Sequence, residues 1–136
     1  MRTLLPFLAC LGLLLSGCKK EPGEGGKSEI RGYVYEQRFN DGTCQPSGQP
    51  YPLIDARVYI IYGDHDFYDD DIRTGPDGLF VFNWLRKGDY RIYTVTECLG
   101  DCDQGCSGEF KAVYASASVS GKDDVVSVGI LNVKNY

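Results

Sequence analysis

The sequence predicts an all-β fold: a seven-stranded β-sandwich with loops pinned by disulfides. Three observations predict it. Short runs rich in Val, Ile, Tyr, Phe and Thr alternate apolar with polar residues, and clusters of Gly, Pro, Asp and Ser separate them. No stretch after the N-terminal segment carries the apolar periodicity of an amphipathic helix. Cysteines stand beside the loops rather than within the strand-like runs.

Seven runs qualify as strands, at 28–37, 56–63, 71–75, 79–84, 89–97, 109–120 and 124–135. In the first, Ile30, Gly32 and Val34 alternate with Arg31, Tyr33 and Tyr35; in the second, Ala56, Val58 and Ile60 share a face. Between the third and fourth, Gly75-Pro76-Asp77-Gly78 is a turn with a mechanism. Pro76 presets φ at its second position, Asp77 can accept from its own backbone, and Gly78 supplies the permissive fourth. Phe80 and Phe82 then project to one face, and Trp84 is expected to close the core at the strand end.

The chain opens MRTLLPFLACLGLLLSGCKK. Arg2 precedes an apolar run, Leu4 to Leu15, that is shorter than the about 20 residues a membrane-spanning helix needs. That pattern is a secretory signal, expected over residues 1–17. Leu15-Ser16-Gly17-Cys18 resembles the lipobox of bacterial lipoproteins, which implies a lipidated Cys18 and attachment to the membrane through that lipid. No Asp follows Cys18, so the resemblance implies the outer membrane, with the leaflet open. Residues 18–27 then read as the anchor and a flexible tether, because KKEPGEGGK has no apolar residue to bury. The domain is expected over 28–136, about 109 residues, enough for one core.

The formal net charge is −5, and loss of Arg2 with the signal takes it to −6. An acidic chain excludes nucleic acid as a partner and offers no overall attraction to anionic lipid. Of six cysteines, Cys10 leaves with the signal and Cys18 takes the lipid. Cys44, Cys98, Cys102 and Cys106 then imply two disulfides, with three pairings open. Cys98 and Cys106 flank a loop between two strand runs and can face each other across its base, which would leave Cys44 with Cys102. Their spacing does not fit a thiolate zinc site.

A wider pattern resembles a known family. Ile30-x-Gly32-x-Val34, Pro52-Leu53-x-x-Ala56-x-Val58 and Thr74-x-x-Asp77-Gly78-x-Phe80-x-Phe82-x-x-Leu85-x-x-Gly88-x-Tyr90 resemble the carboxypeptidase regulatory-like domain. That family belongs with the transthyretin-like (prealbumin-like) and Cna-B-type sandwiches, and the likeness covers residues 29–95. It implies an Ig-like or transthyretin-like sandwich serving as a non-catalytic accessory or adhesive module. The chain departs from the pattern at the Cys-bearing insertion 37–52 and the loop 97–108. Ring-opening dioxygenases on related sandwiches use two His and two Tyr on iron, and the ureide hydrolases use several His. This chain has one, His65, and no nucleophile signal, so no catalysis is expected.

Two clusters could hold a ligand. Asp64, Asp66, Asp69, Asp70 and Asp71 could supply oxygens to calcium, although their spacing is not that of an EF-hand and strand alternation would scatter them. Otherwise no cofactor is expected. Tyr33, Tyr35, Tyr59, Tyr62 and Tyr93 fall opposite the expected core and could stack on a glycan or a partner protein. The expected function is a structural or protein-interaction module of the cell envelope; a carbohydrate- or calcium-binding module is the alternative.

Overall fold

The structure, a computed structural model, describes residues 20–136. The signal expected over 1–17 and the lipidated Cys18 lie outside the described residues. Eight strands follow one another, and there is no helix among the described residues. They are β1 (Glu24–Asn40), β2 (Gln45–Pro52), β3 (Arg57–Tyr62), β4 (Asp70–Arg73), β5 (Leu79–Leu85), β6 (Gly88–Glu97), β7 (Phe110–Val119) and β8 (Val125–Asn135).

Two four-stranded sheets form. The first is organised by β1, which at 17 residues is long enough to serve several partners. Its first half pairs with β5 and its second half with β2, both antiparallel, while β8 runs parallel to it through Glu29–Arg38. The second sheet has the order β4-β3-β6-β7, antiparallel throughout. Ile30, Val34, Phe80, Phe82, Leu131 and Val133 of the first sheet meet Val58, Ile60, Tyr90, Ile92, Ala117 and Val119 of the second in one core. Alternation along each strand puts these side chains inward, as the sequence predicts.

The strand count corrects the seven expected from sequence. The additional strand is β2, QPSGQPYP, which has no apolar alternation and three prolines. Proline is tolerated there because the strand lies at a sheet edge. Its register on β1 comes from long-range contacts: Tyr51 bonds Glu36, Gln37 donates to the Ser47 and Gly48 carbonyls at 3.3 Å, and Arg38 lies 5.6 Å over the Tyr51 ring.

The expected tether is a second correction. Glu24 to Lys27 already belong to β1, and Pro22-Gly23 is built into the domain. The Tyr90 hydroxyl receives the Gly23 amide at 2.9 Å, and the Arg86 amide donates to the Gly23 carbonyl at 2.8 Å. A β-carbon on Gly26 would stand 1.9 Å from the Leu85 carbonyl oxygen. These glycines serve close approach of two backbones, a use that composition cannot tell from flexibility.

The turn at 75–78 forms as expected. Gly78 donates to the Gly75 carbonyl at 3.0 Å, Asp77 Oδ1 accepts from the Leu79 amide at 3.1 Å, and Gly78 has φ +76. Trp84 does not close the core. Its φ is +61, which breaks the alternation, so Leu85 turns inward and the indole is 69% exposed.

The cysteines pair Cys44 with Cys102 and Cys98 with Cys106. The first bridge joins the β1–β2 turn to the β6–β7 loop; the second closes the base of that loop.

Candidate functional site: a tyrosine row on the second sheet

The outer face of the second sheet carries a line of aromatic rings. Register builds it: Tyr59 on β3 lies opposite Tyr93 on β6, and Tyr93 lies opposite Tyr114 on β7. Cross-strand neighbours on one face are close enough for their rings to touch. Tyr59 and Tyr93 stack at 4.7 Å with an interplanar angle of 14°, and Tyr93 meets Tyr114 at 5.2 Å. Tyr68 extends the row from the loop before β4, 4.9 Å from Tyr59. Tyr68 and Tyr114, at the two ends, are 50% and 59% exposed. Burial raises the Tyr93 phenol pKa, with the neighbouring phenols adding to it.

The acidic run builds the end of this row. Asp69 Oδ2 accepts from the Tyr62 amide at 2.7 Å, and its Oδ1 lies 2.7 Å from His65 Nδ1. The Asp69 amide returns to the Ile60 carbonyl at 2.8 Å, and Arg91 donates to the His65 carbonyl at 2.5 Å. The loop is thereby folded against β3 and β6, with Tyr68 over Tyr59. Asp69 raises the His65 pKa through that hydrogen bond.

The five aspartates do not converge as a calcium site would require. Asp70 Oδ1 accepts from the Asp71 amide at 2.8 Å, Asp71 faces Arg57 at 3.5 Å, and Asp64 and Asp66 are exposed. Among the described residues, no three His, Cys, Asp or Glu side chains come together to hold a metal. Strand alternation and local hydrogen bonding disperse them.

Of the five tyrosines singled out by sequence, only Tyr59 and Tyr93 join the row. Tyr33 and Tyr35 form an edge-on pair at 6.4 Å on the first sheet. Tyr62 packs edge-on against Tyr90 at 5.7 Å, and burial, then Glu24, pushes its pKa up to about 12. Tyr68 and Tyr114 were missed. Alternation along β7 from Ala117 and Val119 would have placed Tyr114 on an outer face, but only strand order makes it a neighbour of Tyr93.

A second polar cluster sits at the far end of β6. Asp103, in the disulfide loop, is 7% exposed. Its carboxylate accepts from Lys134 Nζ, from the Tyr136 hydroxyl at 2.9 Å and from the Leu99 amide at 3.4 Å, with Lys111 at 3.9 Å. The Lys134 hydrogen bond holds its pKa below the usual carboxylate range and raises that of Lys134. Lys134 Nζ also lies 4.9 Å over the Phe39 ring. With its partners in place, this carboxylate clamps the loop to β8.

No protein-family model matches the sequence, and no curated protein matches it. Among solved structures, the chain is similar to a candidate carbohydrate-binding protein from Pseudomonas aeruginosa. Identity is 16% over 83% of this chain and 91% of that one, with a TM-score of 0.47. It is similar to the major plantain pollen allergen Pla l 1 at 16% identity, over 79% of this chain and 93% of that one, with a TM-score of 0.46. Neither likeness is close enough to carry a ligand over.

Proposed function

We propose that this chain is a non-catalytic envelope lipoprotein, anchored to the outer membrane through Cys18, whose domain docks on another envelope protein through the tyrosine row. The unbroken row Tyr68–Tyr59–Tyr93–Tyr114 carries the reading. Tyrosine supplies large, stiff contact area and is enriched where proteins meet. The inner rings are flanked by each other, so the row offers ring edges and phenol hydroxyls along its length. A sugar stacks on an open ring face, which among these residues is left at the two ends, Tyr68 and Tyr114. A ridge of this kind suits a protein surface better.

The two disulfides support an oxidising, exported location. Tyr90 supports the Ig-like or transthyretin-like reading of the sandwich. Its buried hydroxyl donates to the Arg86 carbonyl at 2.7 Å, four residues upstream, in the manner of the tyrosine corner of such sandwiches.

The test is site-specific photo-cross-linking in cells, with a benzophenone amino acid at Tyr114 and, for comparison, at Ile130, which is exposed on the first sheet. The expected result is an adduct with one envelope protein from position 114 alone, lost when Tyr59 and Tyr93 are changed to Ser in a chain whose melting confirms folding. Equal labelling at both positions, or none, overturns the reading. Retention on an immobilised polysaccharide that disappears with the same substitutions would favour the carbohydrate alternative.

A further inference from the structure

The chain is acidic, yet one end of the domain is not. Lys20 and Lys27 from the N-terminal segment, Arg86 and Lys87 from the β5–β6 turn, and Lys122 from the β7–β8 turn line one groove of about 590 Å³. Asp123 is the single carboxylate among its lining residues. None of the five cations stands in an ion pair among the described residues. Asp124, next to the groove, accepts from the Gly121 and Ser120 amides, which hold its carboxyl pKa low, with Lys87 adding to the effect. Arg86 Nε is buried without a hydrogen-bond partner among the described residues.

Two further observations point to what the groove meets. Trp84 precedes two of its lining residues, Leu85 and Arg86, and is 69% exposed at φ +61. A bulky residue there is a conformational outlier, and such strain persists mainly where function holds it. Trp is also the residue enriched at membrane–water interfaces. Lys20, in the groove wall, lies two residues after Cys18. Two residues span at most about 7 Å, less than the screening length of about 8 Å at physiological ionic strength.

We propose that this groove binds phosphate groups of anionic phospholipid headgroups and seats the domain on the membrane around its own anchor, with Trp84 in the headgroup layer. The orientation rests on lipidation of Cys18; it is independent of the tyrosine row. Because β6 runs from Gly88 at the groove to Glu97 beside the Cys98–Cys106 loop, the disulfide-bonded end points away from the bilayer.

The chain's single Trp is the reporter. The lipidated chain from Cys18 onward is placed in vesicles of phosphatidylcholine with or without phosphatidylglycerol, and Trp84 emission is read with brominated acyl chains as quencher. The lipid on Cys18 anchors the chain in both vesicle types, so the difference between them isolates the groove. Expected are a blue shift and quenching that need phosphatidylglycerol and collapse in molar salt. Each cation near an anionic surface contributes about 5-fold, so K27Q/K87Q/K122Q should lose on the order of 100-fold of the phosphatidylglycerol-dependent response. The charge-matched R31Q/R38Q/R73Q and the Tyr114→Ser chain should retain it, which separates failure here from failure of the tyrosine reading. Equal Trp84 responses on both vesicle types, or no difference between the two triple variants, overturns the proposal. Shifts of the Gly121 and Lys122 amides on adding inorganic phosphate, with no response to vesicles, would assign a free anion and overturn the lipid assignment.

Discussion

Replacing Asp103 with Asn isolates the clamp that holds the disulfide loop to the sheets. The side chain is 5% exposed, so the substitution removes a charge that water scarcely reaches. It leaves Lys134, whose side chain is 33% exposed, without its anionic partner, and weakens the bond from the Tyr136 hydroxyl. Hydrogen bonds to charged groups contribute about 1.5–3 kcal/mol. Partial solvation of Lys134 argues against the larger penalty of a fully buried unpaired charge, so the expected loss is about 2–3 kcal/mol. For a domain of this size that is a fall in Tm of roughly 8–12 °C. Because the folded pKa of Asp103 is depressed, its contribution is fully present above the ordinary carboxylate pKa and disappears as pH falls through the folded value. The parent should therefore lose stability in acid more steeply than Asp103→Asn. Thermal melts across pH, with exposed Asp101→Asn as a control expected within about 0.5 kcal/mol of the parent, provide the assay. A Tm change for Asp103→Asn no larger than the control's would refute the clamp.

Two other substitutions test the corrected reading of the chain. Gly26→Ala should destabilise by about 3 kcal/mol or more, because its methyl would meet the Leu85 carbonyl oxygen. Gly100→Ala, with nothing within 4 Å of the added carbon, should be silent in the same denaturation assay; a silent Gly26→Ala would restore the tether. His65, watched by NMR, should titrate above the ordinary imidazole value and move back toward it in Asp69→Asn. Since the folded pKa is raised, the Asp69 contact supports the loop fully below the ordinary imidazole pKa and fades as pH rises through the folded value. Exchange of the residue-69 amide, which bonds the Ile60 carbonyl, should accelerate over that interval beyond its intrinsic pH dependence, and in Asp69→Asn this extra rise should be absent.

Alternation made the core strands legible. Ile30, Val34, Val58, Ile60, Phe80 and Phe82 sit inward because a strand turns successive side chains to opposite faces. The Pro-Asp-Gly turn was legible for a similar reason, since each of its residues has a local conformational preference. β2 was not, because its strand state is imposed by pairing with β1 and contradicts its own propensity. Nor was the fate of Trp84: one positive φ exchanged the faces of two adjacent residues. In the candidate site, Tyr59 and Tyr93 were identified as outward-facing, but the row needed the register of β3, β6 and β7.

The sequence by itself determined the all-β class, most of its strands and the paired state expected of four cysteines, because those follow from short-range periodicity and residue chemistry. The tertiary structure alone decided which tyrosines touch, where five cations from three segments gather, and that a Gly-rich stretch packs as a strand. Those are contacts between residues far apart in the chain, and strand order and sheet packing set them.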